Sequence, residues 1–182
     1  MNVIKTDLEG VVIIEPTLFK DERGYFFESF SQKEFDEKVQ PINFVQDNES
    51  MSSYGVIRGL HFQKEPYAQS KLVRCVKGEV LDVAVDLRKD SPTFGKYISV
   101  VLSEDNHRQL FIPKGFAHGF SVLSETAIFQ YKCDNLYNKN SEGGIYPLDN
   151  DINVDWKIPF DDIIISNKDN LNPCFKDIYI NF

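Results

Sequence analysis

The run Val56-Ile57-Arg58-Gly59-Leu60-His61-Phe62-Gln63, followed shortly by Lys71-Leu72-Val73-Arg74, sets a histidine, a lysine and an arginine among residues that otherwise read as sheet interior. A neutral imidazole takes up a proton near neutral pH, and an ammonium group stabilises the negative charge left behind. That pairing suits removal of a proton next to a ketone, with the enolate held by the lysine. A lone histidine is often only a hydrogen-bonded structural group, but Arg58 and Lys71 nearby favour a site. Lys71 could instead guard an exposed sheet edge, although its strand reads as central.

The elements that must position these groups are short β-type runs at 10–16, 24–29, 44–49, 56–62, 71–76, 79–87, 97–102, 109–112, 117–123 and 127–133. Their regular spacing, punctuated by Gly, Pro, Asn and Asp, predicts a sandwich or barrel. One short helix is expected at 31–35, where Ser31 and Glu34 form a capping box and Phe35/Val39 an apolar i,i+4 pair. After Asp149 the tail is polar and irregular, with Trp156-Lys157-Ile158-Pro159 as an anchor and Ile163-Ile164-Ile165 as a further strand. The expected organisation is one domain over 1–182, with the barrel core at about 10–135 and an extension at about 150–182.

Two hairpins are expected. A turn at Lys77-Gly78 would set Val76 against Glu79, Val73 against Asp82 and Lys71 against Ala84. One face would then carry Leu72, Val76, Leu81, Val83, Val85 and Leu87, and the other Lys71, Val73, Cys75, Val80, Asp82, Ala84 and Asp86. A lysine and two aspartates among small apolar groups are costly to bury unless paired or functional. A second turn at Leu123-Ser124-Glu125-Thr126 would pair Val122 with Ala127, Phe120 with Phe129 and His118 with Tyr131. Tyr131 could then return a proton to a carbanion, or serve packing alone. Asp169 reads equally as a loop residue, and spacing alone does not bring it near His61; His107 reads as a surface turn.

Composition limits the partners. The 182 residues carry 20 Lys+Arg against 28 Asp+Glu, a net charge of -8, with no basic block, which argues against nucleic acid. A few placed arginines and lysines still suffice to hold one phosphorylated small molecule. Three well-separated cysteines (Cys75, Cys133, Cys174) form no disulfide framework and suit a reducing cytoplasm. The N-terminus has no signal-like apolar segment, and no run is long enough to span a bilayer. Pro113-Lys114-Gly115-Phe116-Ala117-His118 resembles the second cupin motif, whereas the first motif offers only Glu79 and no histidine pair, so a closed metal site is hard to build.

Several ordered motifs together resemble the dTDP-4-dehydrorhamnose 3,5-epimerase family: Asp21–Phe30, Phe44–Ser50, Arg58–Gln63, Lys71–Arg88, Ile112–Gly119 and Tyr131-Lys132-Cys133. The likeness covers roughly residues 1–170 and implies an all-β, cupin-like jelly-roll barrel with a few short helices, a homodimer and no metal or other cofactor. It implies inversion at C3 and C5 of dTDP-4-dehydro-6-deoxy-D-glucose through an enolate. Carried over by position, His61 is similar to the family's base, Asp169 to its orienting carboxylate and Lys71, with Asp82 near it, to its enolate-stabilising lysine. Tyr131 is similar to the acid, and Tyr137 to the ring that stacks on thymine. Arg23, Glu28, Gln46, Asp47, Asn48, Arg58, His118, Glu142 and Lys168 match positions that hold the nucleotide and sugar.

This sequence departs from the family late in the chain. Lys157 and Ile158 separate Trp156 from Pro159 where the family commonly reads Trp-Pro, and Leu136 stands for a frequent tyrosine. The rival readings are an epimerase acting at C3 or C5 alone, a keto-isomerase, or an enzyme for a GDP-linked 4-keto sugar. A sugar-nucleotide-binding cupin without catalysis is a rival of another class, against which His61, Lys71 and Tyr131 argue. A metal-dependent cupin oxygenase comes last.

Overall fold

The computed structural model describes residues 1–179 and 182. Alternating apolar residues and turn signals produce strands β1 (Asn2–Lys5), β2 (Val12–Glu15), β3 (Phe19–Asp21), β4 (Gly24–Phe26), β5 (Gln46–Ser53), β6 (Val56–Gln63) and β7 (Lys71–Lys77). They continue as β8 (Glu79–Asp86), β9 (Tyr97–Ser103), β10 (Gln109–Ile112), β11 (Phe116–Val122), β12 (Thr126–Cys133), β13 (Glu142–Gly144) and β14 (Ile164–Ile165). The helices are short: α1 (Gln32–Lys38) and α2 (Asn167–Asn170), with a few 3-10 turns. One sheet runs β1-β2-β10-β7-β12-β5 and the other β13-β6-β11-β8-β9, with β14 alongside β6. This is the expected all-β, cupin-like jelly roll.

Both hairpin expectations fail. β7 pairs with β10 and β12, while β8 pairs with β11 and β9. Likewise β11 pairs with β6 and β8, and β12 with β5 and β7. Each turn carries the chain from one sheet to the other instead of folding it back within a sheet. At the first turn Gly78 has φ +76, and a Cβ there would lie 2.1 Å from the Thr126 carbonyl oxygen. Only glycine fits this crossing without displacing the backbone. The expected partners therefore meet across the sandwich: Phe120 and Phe129 stack with ring centroids 4.3 Å apart from opposite sheets.

Period-two alternation still sorts the side chains as expected, because each strand keeps its faces whichever partner it has. Val73, Cys75 and Phe129 from one sheet pack with Val80, Ala84 and Phe120 from the other in the buried interior. The outer residues Leu81, Val83 and Val85 are covered by the C-terminal segment, including Ile145, Ile152 and Trp156. On the opposite exterior, α1 lays Phe35 over Ile14, Leu72 and Phe111. Ser31 caps α1 by accepting from the Glu34 N–H at 3.5 Å, but the Glu34 carboxylate turns to Lys38 and the Met1 ammonium, so the reciprocal half of the capping box is not made. The sequence pattern does not announce β1, β3 or β13, which are three or four residues long, too short for a clear alternation, whereas β4 falls within the run expected at 24–29.

Trp156 is the anchor the sequence suggests. Its indole N–H donates to the Pro147 carbonyl at 2.7 Å, and its own carbonyl accepts from Ser121 at 2.7 Å. The two residues inserted before Pro159 form an outward kink, with Lys157 at φ +60 and ion-paired to Asp155. The chain then returns so that Ile164 and Ile165 pair in parallel with Val56 and Ile57. The insertion is absorbed at the surface and leaves β14 and α2 in register with β6.

Phe35 is 1% exposed and is α1's main contact with the sheet. Phe35→Ala should cost about 3–5 kcal/mol of unfolding free energy in a urea titration, from lost burial and the cavity left behind. A loss below about 1 kcal/mol would mean that α1 contributes little to the fold.

Candidate active site

Between the two sheets lies a groove with a cavity of about 510 Å³ at one end, lined by Arg58, His61, Lys71, His118, Tyr131, Glu142, Lys168 and Asp169 among others. A neighbouring hollow shares His61, Lys71, Tyr131 and Glu142 and adds Gln46, Asn48, Cys133 and Tyr137. His61 and His118 come from β6 and β11, which pair directly at these two residues. The strands approach closely because Gly59 faces Gly119; a Cβ on Gly59 would lie 2.6 Å from the Gly119 Cα. Lys71 and Tyr131 come from the facing sheet, where β7 is central between β10 and β12. The edge-guard reading of Lys71 therefore does not apply.

His61 Nε2 lies 2.6 Å from Asp169 Oδ1, and the side chains are 31% and 5% exposed. The other Asp169 oxygen accepts from the Gly59 N–H at 3.3 Å. Asp169 is held at the start of α2, where its own N–H donates to the N-cap Ser166 hydroxyl at 3.1 Å. Burial pushes the Asp169 carboxyl upward, but the bonded imidazole, the Gly59 N–H and Lys168 outweigh it and hold the carboxyl below its ordinary range. With Nε2 donating to this carboxylate, the lone pair of a neutral His61 is on Nδ1.

Burial drives the Lys71 ammonium down from the usual lysine range, opposed by Cys133, Asp82 and Glu142. Cys133 is its direct cross-strand partner, a neighbour that the hairpin expectation conceals. Asp82 is fully buried and accepts from His118 Nε2 at 2.9 and 3.1 Å. Desolvation raises Asp82 and lowers His118, so burial favours the uncharged form of each. Burial likewise raises the Tyr131 phenol, with Cys133 adding to the effect, so Tyr131 keeps its proton.

At the nucleotide-facing end suggested by the resemblance, Tyr137 donates its hydroxyl to Glu142 at 3.1 Å, and Glu142 also pairs with Lys168. The Tyr137 N–H donates to Gln46 Oε1 at 3.1 Å, and Gln46 in turn donates to Asn48 at 2.8 Å. Asp47 is exposed and paired with Lys132, outside this cavity. Arg23 and Glu28 are not brought to the cavity of their own chain. Arg23 pairs with Asp21 on the exposed β3–β4 hairpin, and Glu28 lines a separate hollow near Met1 and Glu34. His107 is at a surface bend against the rings of Tyr25 and Phe27. Glu79 is exposed at the start of β8, remote from a ligand role beside His118, whose Nε2 is engaged by Asp82.

Sequence reasoning does not single out Ser166, Ser52 or Cys133. The Ser-x-x-Asp pattern at Ser166–Asp169 is a legible helix-start signal, whereas the other two depend on register.

Because its carboxyl is held down, Asp169 contributes stability above the unfolded carboxyl value of about 3.9, and that contribution is lost as pH falls through the lower folded value. Asp169→Asn should therefore be less stable than the parent at pH 7, with the gap narrowing at pH 3, in parallel denaturant titrations. A gap that widens in acid would contradict a carboxylate held ionised by the His61 and Gly59 hydrogen bonds.

Comparison with known proteins places this geometry. A family model described as dTDP-4-dehydrorhamnose 3,5-epimerase matches residues 5–177. The dTDP-4-dehydrorhamnose 3,5-epimerase of Shigella flexneri is 59% identical over 170 residues, covering 93% of each chain. The crystal structure of the Elizabethkingia anophelis NUHP1 enzyme of the same name is 57% identical, with a TM-score of 0.93 over 97% of each chain. The dTDP-6-deoxy-D-glucose-3,5-epimerase of Legionella pneumophila Philadelphia 1, solved with dTDP-4-keto-L-rhamnose, is 47% identical, with a TM-score of 0.94 over 98% of this chain and 94% of that one. The chain belongs to the dTDP-4-dehydrorhamnose 3,5-epimerase family.

Proposed function

We propose that this protein epimerises C3 and C5 of dTDP-4-dehydro-6-deoxy-D-glucose, giving dTDP-4-dehydro-L-rhamnose. The observation that carries the reading is a histidine–carboxylate pair on one wall of the groove, with Tyr131 and Lys71 supplied by the facing sheet. In the chair of a gluco-configured sugar, H3 and H5 are both axial on the same face of the ring. One base on that face reaches both, so a single His61 serves two inversions.

His61 Nδ1 takes the proton α to the C4 ketone while Asp169 stabilises the imidazolium. The electron pair moves onto the C4 oxygen, where the Lys71 ammonium lowers the energy of the enolate. Tyr131, still protonated, donates to the carbon from the opposite face, and the configuration inverts. Solvent exchange then resets both groups. The sum is an isomerisation, with no change in oxidation state. Arg58 and Lys168 suit the diphosphate, and Tyr137 offers its face to the thymine base.

A homodimer is part of this proposal. Arg23 and Glu28 lie outside the cavity of their own chain, and the hairpin beside them exposes Phe19, Tyr25 and Phe26 at 62%, 57% and 65%. A second copy would carry those residues to a neighbouring groove and cover the aromatic surface. No helix of the described residues is long and apolar enough to cross a membrane. We assign the reaction to the cytoplasm, which also suits the free thiols of Cys75 and Cys133.

His61→Ala should abolish turnover of the dTDP-linked 4-keto sugar and keep dTDP binding, measured by a coupled reductase assay and calorimetry. Arg23→Ala should also be weak alone, but mixing it with His61→Ala should restore activity through dimers that hold one complete site. Retained activity in His61→Ala would remove the assigned base. Failure of the mixture to regain activity would place Arg23 outside the partner's groove.

A further inference from the structure

Arg58 is an exposed residue of β6, yet its guanidinium is not free to roam. Its Nε–H donates to Ser52 Oγ at 2.9 Å, and its Nη2 donates to the Met51 carbonyl at 3.3 Å. Both acceptors belong to β5, at the edge of the opposite sheet. The contact thus spans the open side of the sandwich at the cavity that Arg58 lines. Ser52 is 7% exposed and faces the interior in register with Ala127.

We propose that Ser52 is a positioning residue for substrate binding: its hydroxyl fixes the plane of the Arg58 guanidinium so that the remaining N–H groups face the groove. This rests on the nucleotide-sugar reading above and deepens it. Arginine recognises phosphate and sugar oxygens through a rigid planar fork, so its orientation matters as much as its charge. A long exposed side chain otherwise spreads over many rotamers, and binding would have to order it. The buried hydroxyl does that ordering in advance, and the Met51 carbonyl adds a second point from the same strand. The interaction is made before substrate arrives, so it should lower KM more than it raises kcat.

Steady-state kinetics on Ser52→Ala, Ser52→Thr, Arg58→Ala and the Ser52→Ala/Arg58→Ala double variant test this. Ser52→Ala should raise KM for the dTDP-linked 4-keto sugar by about tenfold, with kcat within about twofold of the parent. Ser52→Thr keeps the hydroxyl and should restore the parent KM. In the Arg58→Ala background, Ser52→Ala should add nothing, because the group it orients is gone. An unchanged KM in Ser52→Ala, or losses that add in the double variant, would overturn the proposal and leave the epimerase reading intact. A parent protein that neither binds nor turns over the sugar nucleotide would overturn both.

Discussion

The contact on which the site depends is the one between His61 and Asp169, 108 residues apart in sequence and 2.6 Å apart in the fold. A carboxylate this buried needs partners, and the imidazole and the Gly59 N–H supply them. To deliver it, the C-terminal segment must cross the outside of one sheet, lock through Trp156 and pair β14 with β6. The close approach of Gly59 and Gly119 sets His61 beside His118, and the crossing at Gly78 puts Lys71 in the opposite wall. Fold and chemistry meet in that arrangement. One sheet presents His61, and the other Tyr131 and Lys71.

The sandwich interior also sets the electrostatics. Desolvation acts on Lys71, Asp82, His118 and Tyr131 together, favouring the neutral form of each. Asp82 opposes the downward push on Lys71, and Lys71 the upward push on Asp82, so each offsets part of the other's burial cost. Burial and Cys133 push the Tyr131 phenol up, Arg58 opposes them only in part, and the phenol keeps its proton.

Much of this is legible in the chain. Strand positions, the Ser31 cap, the Trp156 anchor and the facing of Lys71, Asp82 and Phe129 all come from local pattern. Pairing partners do not. A glycine turn between two alternating runs looks the same whether the chain folds back within a sheet or crosses to the next, because the alternation of faces is preserved in both. For that reason the expected hairpins are wrong while Phe120 and Phe129 still meet. Asp169 is beyond pattern reading altogether, since nothing local shows which strand a distant loop will reach; the family resemblance supplies it. Arg23 and Glu28 mark the opposite case, residues matched by motif that one chain does not bring to its own groove.

One base serving both carbons flanking the ketone is the central claim. Incubating dTDP-4-dehydro-6-deoxy-D-glucose with the protein in D2O and reading deuterium by NMR tests it most directly. Deuterium at both C3 and C5, in a product of L-configuration, is the predicted result. Deuterium at only one carbon, or at neither while the sugar nucleotide is bound, would contradict it.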